Sequence, residues 1–324
     1  MKHIAILYGG FSGEAVVSAQ SGKVVYKHLK GGKYNPILVE VNEKGWFAQI
    51  EDSSYPIDLN NFTALVNEET LSFDGAFIAI HGSPGENGIV QGYLDLIGMP
   101  YNSGSPLNSS LTFNKKFCND VLKQAGVLAA KSISLTVGDD INENEIIDSI
   151  GLPCFVKPNG AGSSLGISKV ITFEQLKPAI YKAFEEDETI VIEAFIEGTE
   201  VTCGMVNWKG ELRALGVTEI VYQTEFFDYH AKYHDDKTQE ITPARISEQQ
   251  TQAVKDAAFK IYRLLRSRGM VRADFILKGD QPFLIEVNTV PGLSEASIIP
   301  KMAAYSGISL RELFENEVEM MLGE

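Results

Sequence analysis

The first hundred residues alternate short apolar runs with helical stretches, and that rhythm constrains the fold more than any other feature of the chain. Residues 4–8 read as a strand ending at Gly9-Gly10. A helix follows over 14–29, strands over 36–41 and 75–80, and a helix over 89–97. This repetition predicts an α/β N-terminal open parallel sheet. Ligands of such sheets sit outside the carboxyl ends of the strands, where Gly9-Gly10 and His81-Gly82 stand. The pattern changes after Pro100-Tyr101. A helix over 115–124 leads to strands near 133–136 and 154–157, and from Gly166 onward the pattern is antiparallel β with helices, an α+β half. Thr172 with Gln175, Ser247 with Gln250 and Ser309 with Glu312 are capping boxes. Turn residues 207–210 and 278–280 separate strand pairs. The units expected are 1–100, a central unit over 101–190 and a C-terminal unit over 191–324.

Charge narrows the partners. Lys and Arg number 28 against 43 Asp and Glu, a net charge of −15. That is the wrong sign for a general binder of nucleic acid or anionic membrane, so neither is expected. No apolar run approaches the ~18 residues that span a bilayer. The apolar run after Met1-Lys2-His3 is too short for a signal peptide. Cys118, Cys154 and Cys203 are far apart and form no CxxC pattern, which fits the thiols of a cytoplasmic protein. An anionic substrate then needs a local cluster of cations or metal ions.

Five segments could carry chemistry. In 271–277, Arg272 and Asp274 share a face; in 283–288, Glu286 and Asn288 do. If residues 278–282 form the loop and Leu277 pairs with Phe283, Asp274 lies opposite Glu286 and Arg272 opposite Asn288. Opposed carboxylates repel, and a hard cation such as Mg²⁺ between them resolves the conflict, with Asn288 as a third ligand. Residues 157–166, Lys-Pro-Asn-Gly-Ala-Gly-Ser-Ser-Leu-Gly, form an amide-rich loop between strands, suited to covering phosphates. It is neither a Walker A motif nor a dinucleotide fingerprint. The strand 190–196 carries Glu193 and leads to Glu200; an adenine edge suits the backbone near Glu193, and ribose hydroxyls suit Glu200. Residues 222–240, aromatic and charged without periodicity, fit a lid. His81 stands at a strand's carboxyl end. Taken singly, the same segments also fit a solvated hairpin face, a bare hairpin loop, a strand with solvated glutamates, a packed surface loop and a structural histidine.

Their order, however, resembles the ATP-grasp enzymes, and within them the D-alanine–D-alanine ligases. The matching residues are Gly10-Phe11-Ser12-Gly13-Glu14 with Val17-Ser18; His81-Gly82 with Gly85-Glu86-Asn87-Gly88 and Gln91-Gly92; Pro100-Tyr101; Asn114-Lys115; Val156-Lys157-Pro158 with Gly162-Ser163-Ser164; Glu193 with Gly198 and Glu200; Tyr229 with Ala231-Lys232-Tyr233; Arg272-Ala273-Asp274; and Glu286-Val287-Asn288 through Gly292, with Ser297. The resemblance covers nearly the whole chain and implies ATP-grasp α+β domains after the N-terminal sheet. It implies ATP-dependent ligation of two D-alanines through an acyl phosphate, for peptidoglycan precursor synthesis.

The roles it implies are as follows. Asp274, Glu286 and Asn288 hold two Mg²⁺, with Mn²⁺ a possible substitute. Lys115, Lys157 and Lys232 contact phosphates, and Ser163 and Ser164 belong to the loop closing over them. Glu193, with the backbone of Ala194 and Ile196, meets adenine, and Glu200 the ribose. Glu14 pairs with the ammonium of the first D-alanine and is linked through Ser163 to Tyr233. Arg272 and the Gly292 amide stabilise the oxyanion. Ser297 and the Ile298 amide take the second substrate's carboxylate, and His81 lies near the first substrate. A homodimer is expected on the same ground.

The chain departs from the usual pattern at Val16, where a second glutamate is common, at Phe113 and Asn114, where methionine and aspartate are usual, and at His230, where glutamate is common. Relatives that make the depsipeptide lack the Lys-Tyr pair and carry a lid histidine. Lys232-Tyr233 therefore favours the dipeptide. Two rivals are an NAD-dependent oxidoreductase, for which the spacing after Gly9-Gly10 is wrong, and a non-catalytic ATP-binding regulator, against which the intact Lys, Asp, Glu, Asn and Arg set argues.

Overall fold

A computed structural model describes residues 1–160, 166–222 and 238–324. Strand β1 (His3–Gly9) has Ile4, Ala5, Ile6 and Leu7 fully buried. A strand covered on both faces needs such a continuous run rather than alternation. It lies between β2 (Asn35–Asn42) and β7 (Gly75–Ile78), parallel to both. Helix α1 (Ala15–Leu29) makes the crossover from β1 to β2.

The parallel sheet expected over the first hundred residues is corrected here: only those three strands are parallel. Strands β3 (Gly45–Ile50), β4 (Ser53–Asp58), β5 (Thr63–Val66) and β6 (Glu69–Ser72) extend the sheet from β2 by antiparallel steps, in the order β6-β5-β4-β3-β2-β1-β7. Their connections are too short for a crossover helix, so each strand must fold back on its predecessor. These strands are short and hold at most three apolar residues in succession, as in Trp46-Phe47-Ala48 and Ala64-Leu65-Val66, which is why no long apolar run announces them.

Helices α2 (Ile89–Leu96), α3 (Pro106–Phe113) and α4 (Lys115–Gln124) lead to a second sheet. It contains β8 (Ser132–Thr136), β9 (Cys154–Pro158), β10 (Ser168–Val170) and β11 (Thr189–Ala194), antiparallel throughout, in the order β10-β9-β11-β8. Helices α5 (Glu143–Ile150) and α6 (Phe173–Phe184) pack on it, and Ile146, Val156, Leu176, Ile180 and Ile190 form a core of its own.

The third sheet contains β12 (Thr199–Trp208), β13 (Glu211–Tyr222), β14 (Thr238–Ile241), β15 (Val271–Lys278) and β16 (Gln281–Asn288), in the order β14-β13-β12-β15-β16. Every pairing is antiparallel. Lys209 and Gly210 both take positive φ, the two-residue hairpin that joins β12 to β13. Helix α7 (Glu248–Leu264) covers this sheet. Helices α8 (Ile298–Tyr305) and α9 (Leu310–Leu322) lie between the first and third sheets. There Ile4, Ile6 and Phe77 share a core with Val206, Leu215, Ile299, Met302 and Phe314. The capping-box residues expected to start helices do start α6, α7 and α9. Among the described residues no helix is long and apolar enough to cross a membrane.

Candidate active site

The β15–β16 hairpin brings the expected acidic residues together by a route that spacing does not reveal. Lys278 pairs with Gln281 and Leu277 with Pro282, so the loop is only Gly279-Asp280 and the expected Leu277–Phe283 pairing is corrected by one residue. A bulge between Asp274 and Phe275 then restores the register: Asp274 faces Glu286 and Arg272 faces Asn288. The extra residue is on β16. Leu284 and Val287 both enter the core, so the Ile285-Glu286 pair between them bounds the cleft.

The opposed carboxylates already have cations. Arg272 forks Asp274 with two hydrogen bonds of 2.8 Å. Thr202 Oγ1 donates to Asp274 Oδ1 at 2.5 Å, and Asn288 Nδ2 donates to Oδ2 at 3.1 Å. Lys115 Nζ lies 3.6 Å from Glu286 Oε2. Lys115 opens α4, where Asn114 caps the helix by accepting Phe117 N–H at 2.9 Å. Asparagine thus does the capping that aspartate would do there. The Lys115 and Lys116 amides donate to the carbonyl and side-chain oxygens of Asn159, just past β9, which fixes the lysine against the second sheet.

Two carboxylates and a side-chain amide form a hard-oxygen donor set that fits Mg²⁺. The fit requires Asn288 to turn its amide oxygen toward the ion, since its nitrogen now points at Asp274. Among the described residues no group of three or more His, Cys, Asp or Glu side chains is placed to hold a metal, so Asn288 is needed to complete the set.

Beside the hairpin, a cavity of about 470 Å³ opens between the second and third sheets and is lined by Lys115, Lys157, Glu193, Glu200, Asp274 and Glu286, with Ala194 and Ile196 also on its wall. Lys157 Nζ meets Glu193 Oε1 at 2.5 Å, both side chains nearly buried. Tyr222 donates its hydroxyl to Glu200 Oε1 at 3.0 Å. The remaining wall is apolar: Phe155 and Phe195 rings sit 6.1 Å apart, and Lys169 Nζ lies 4.4 Å from the Phe195 centroid. An aromatic, half-apolar slot with charged ends suits a nucleotide base and its phosphates.

At the carboxyl end of the first sheet, Glu14 precedes α1 and reaches over Gly82, where a Cβ would stand 2.9 Å from Glu14 Oε2. Glu86 accepts the Gly82 N–H at 2.6 Å. Burial, followed by the charge of Glu14, pushes its carboxyl up to about 8, so it holds a proton at neutral pH. His81 is buried and uses both ring nitrogens, on Ser21 at 2.8 Å and on the Val290 carbonyl at 2.9 Å. Burial pulls it down to about 4, so the ring is neutral.

Ser297 is the N-cap of α8, and its hydroxyl lies 2.7 Å from that of Ser294. Gly292 packs so closely on it that a Cβ would stand 2.9 Å from Ser297 Oγ. The Gly292 backbone, Ser297 and Ile298 therefore form one corner, at the amide-rich end of a helix where an anion is stabilised.

Ser163, Ser164, Lys232 and Tyr233, with Tyr229, His230 and most of the expected lid, lie outside the described residues. Val16 is exposed. Sequence reasoning assigned no individual role to Glu86, Ser21, Thr202 or Tyr222. Glu86 stood in a recognised motif and Tyr222 opened the expected lid segment; Ser21 and Thr202 act on functional side chains 60 and 72 residues away in sequence.

Comparison with known proteins gives the family. The family described as D-ala D-ala ligase N-terminus matches residues 3–104, and D-ala D-ala ligase C-terminus matches residues 121–319. The D-alanine–D-alanine ligase of Flavobacterium johnsoniae is 48% identical over 323 residues, covering 99% of this chain and 100% of that relative. The structure of D-alanyl-alanine synthetase A from Vibrio cholerae superposes with a TM-score of 0.89 at 27% identity, over 100% of this chain and 99% of the other. D-Alanine–D-alanine ligase from Bacillus anthracis, solved in complex with ATP, gives 0.81 at 29% identity, over 100% and 98%.

Proposed function

The chain belongs to the D-alanine–D-alanine ligase family of ATP-grasp enzymes, and on that premise we propose that it spends ATP to join two D-alanines into D-alanyl-D-alanine for peptidoglycan precursor synthesis. The observation that carries this reading is the convergence of Asp274, Glu286, Asn288, Arg272 and Lys115 at one end of a nucleotide-sized cleft.

In this reading the adenine lies against Glu193, Ala194 and Ile196, and Glu200 accepts the ribose hydroxyls. Lys115, Lys157 and Lys232 hold the phosphates, with Ser163 and Ser164 closing over them. Asp274, Glu286 and Asn288 hold two Mg²⁺, or Mn²⁺, which supply charge neutralisation for the phosphates when bound. Glu14, joined through Ser163 to Tyr233, orients the ammonium of the first D-alanine beside His81. The carboxylate oxygen of that D-alanine attacks the γ-phosphorus and ADP departs, leaving its acyl phosphate; this step depends chiefly on positioning and charge. The neutral amine of the second D-alanine, held by its carboxylate on Ser297 and the Ile298 amide, attacks the carbonyl carbon. Arg272 and the Gly292 amide stabilise the oxyanion, phosphate leaves, and the nitrogen gives up a proton. The enzyme works as a homodimer.

The test is phosphate release from Mg-ATP with each of several D-amino acids, with the product identified by mass. D-Alanine should give ADP, phosphate and the dipeptide. Turnover with another amine and none with D-alanine would leave a ligase with a different substrate.

A further inference from the structure

The segment from Val290 to Leu293 carries the Gly292 amide, and buried hydrogen bonds grip it at both ends. The Leu293 N–H donates to Ser21 Oγ at 3.1 Å. Ser21 Oγ meets His81 Nε2 at 2.8 Å, and His81 Nδ1 meets the Val290 carbonyl at 2.9 Å. Ser21 is fully buried and His81, Val290 and Leu293 nearly so.

The ends fix the direction of the chain. A carbonyl oxygen only accepts, so Nδ1 carries the ring proton. The neutral ring then accepts at Nε2, and Ser21 gives it its single hydroxyl proton. The Ser21 oxygen is left to accept from Leu293, an amide that only donates. Every group along the relay is used once and in one sense. The relay starts and finishes on the same short segment, with Pro291 and Gly292 between its ends.

We propose that Ser21 is a positioning residue for the second half of the reaction, holding the Gly292 amide in place through this relay. The proposal deepens the reading above and rests on the roles given there to Gly292 and Ser297. Ser21 touches neither substrate; it acts by fixing His81 and Leu293. A displaced oxyanion donor loses much of its effect, because its value lies in being aimed before the charge develops. ATP binding depends on other groups and should be spared, and the first D-alanine, which Glu14 also holds, should be affected less than the second.

A neighbouring residue supplies the control. Ser18, also on α1 and fully buried, accepts Gly9 N–H at 2.9 Å and donates to Ala79 O at 2.8 Å. Ser18→Ala removes the same chemistry from the same helix without touching the 290–293 segment. In Ser21→Ala, we expect kcat divided by KM for the second D-alanine to fall about tenfold or more while KM for ATP stays within about twofold. Ser21→Thr, which keeps the hydroxyl, should recover most of the loss. A Ser21→Ala loss no larger than that of Ser18→Ala, or one shared equally by ATP and both D-alanines, would make Ser21 merely structural and overturn the proposal.

Hydrogen exchange of the unmodified protein tests the same idea without relying on a variant that folds. The Leu293 amide should be protected as strongly as the α1 amides, and exchange at the rate of an open loop would sink the relay. Ser297→Ala separates the two layers of argument. If it leaves the second D-alanine's KM unchanged, the site reading fails. If it raises that KM while Ser21→Ala leaves kcat divided by KM for the second D-alanine unchanged, only the relay fails.

Discussion

Glu286 and Glu317 are both carboxyls in sheltered places, and they differ in what surrounds them. Glu286 has Lys115 at 3.6 Å and faces the Arg272-bound Asp274 across the hairpin. Replacing it with glutamine removes a donor from the proposed metal set while keeping the shape. Glu286→Gln should lower kcat by at least two powers of ten, roughly 3 kcal/mol at the transition state. Its thermal midpoint should stay near that of the parent, and turnover at saturating Mg²⁺ is the measurement. Near-normal turnover would take Glu286 out of the phosphate machinery. Among the described residues Glu317 has no ion-pair partner. Its Oε2 accepts the Met270 N–H at 3.1 Å, and burial pushes it up to about 8 from an ordinary 4.5. Below the ordinary value both folded and unfolded chains keep the proton. Between there and about 8 the unfolded chain releases it first, so stability falls as pH rises, and above that the deficit is constant. Glu317→Gln should therefore be more stable than the parent at pH 8, by on the order of a few kcal/mol, with the difference gone near pH 4. Urea denaturation at the two pH values decides it. Glu286 could be picked out of the sequence because it stood two residues from Asn288 and faced Asp274. Glu317 could not, since a glutamate in an amphipathic helix gives no sign that its face will close over Met270.

Helices with marked ends were the most readable elements. α4 spans the stretch expected for it, and the capping-box residues mark where α6, α7 and α9 start. Strands β3 to β6 went unread because such short hairpin strands carry at most three apolar residues in succession. Their presence turns a parallel sheet into a mixed one. In the β15–β16 hairpin the facing pairs were foreseen through two compensating differences, a tighter turn and a bulge. Period-2 counting assumes one residue per step on both strands, and a bulge breaks that rule without leaving a mark in composition. The extra residue has a use: Ile285 and Glu286 both line the cleft, one apolar and one charged. Deleting Ile285 leaves Leu284 opposite Phe275 and Glu286 opposite Asp274 in an unbroken ladder. The shortened chain should fold, and its KM for ATP should rise roughly tenfold, the equivalent of ~1.4 kcal/mol of apolar contact. Collapse of the fold would mean that the bulge is needed for pairing itself.

Across the whole molecule, the first and third sheets share a core through α8 and α9, whereas the second sheet keeps its own. No local pattern announces that sharing, because Ile4 and Phe314 meet only after most of the chain has folded between them. Three cations at the cleft come from distant places along the chain: α4 gives Lys115, the second sheet Lys157 and the third Arg272, while Lys169 on the wall lies over the Phe195 ring. Each of the three has a carboxylate beside it, Glu286, Glu193 and Asp274 respectively. This pairing bears on how a nucleotide arrives. A site where three of the positive groups among the described residues are already offset projects little attraction into the solvent, and what an approaching Mg-ATP meets is the field of a body with net charge −15. Like-charged partners collide more often when ions screen them, and the screening distance shrinks from ~30 Å at 0.01 M salt to ~8 Å at 0.15 M. The bimolecular association rate of Mg-ATP, followed by stopped flow, should therefore increase with ionic strength over that range. A rate that drops as salt is added would mean the cleft attracts its nucleotide from a distance after all. If it climbs, encounter is left to diffusion and the three lysine and arginine partners exchange a carboxylate for a phosphate only on contact.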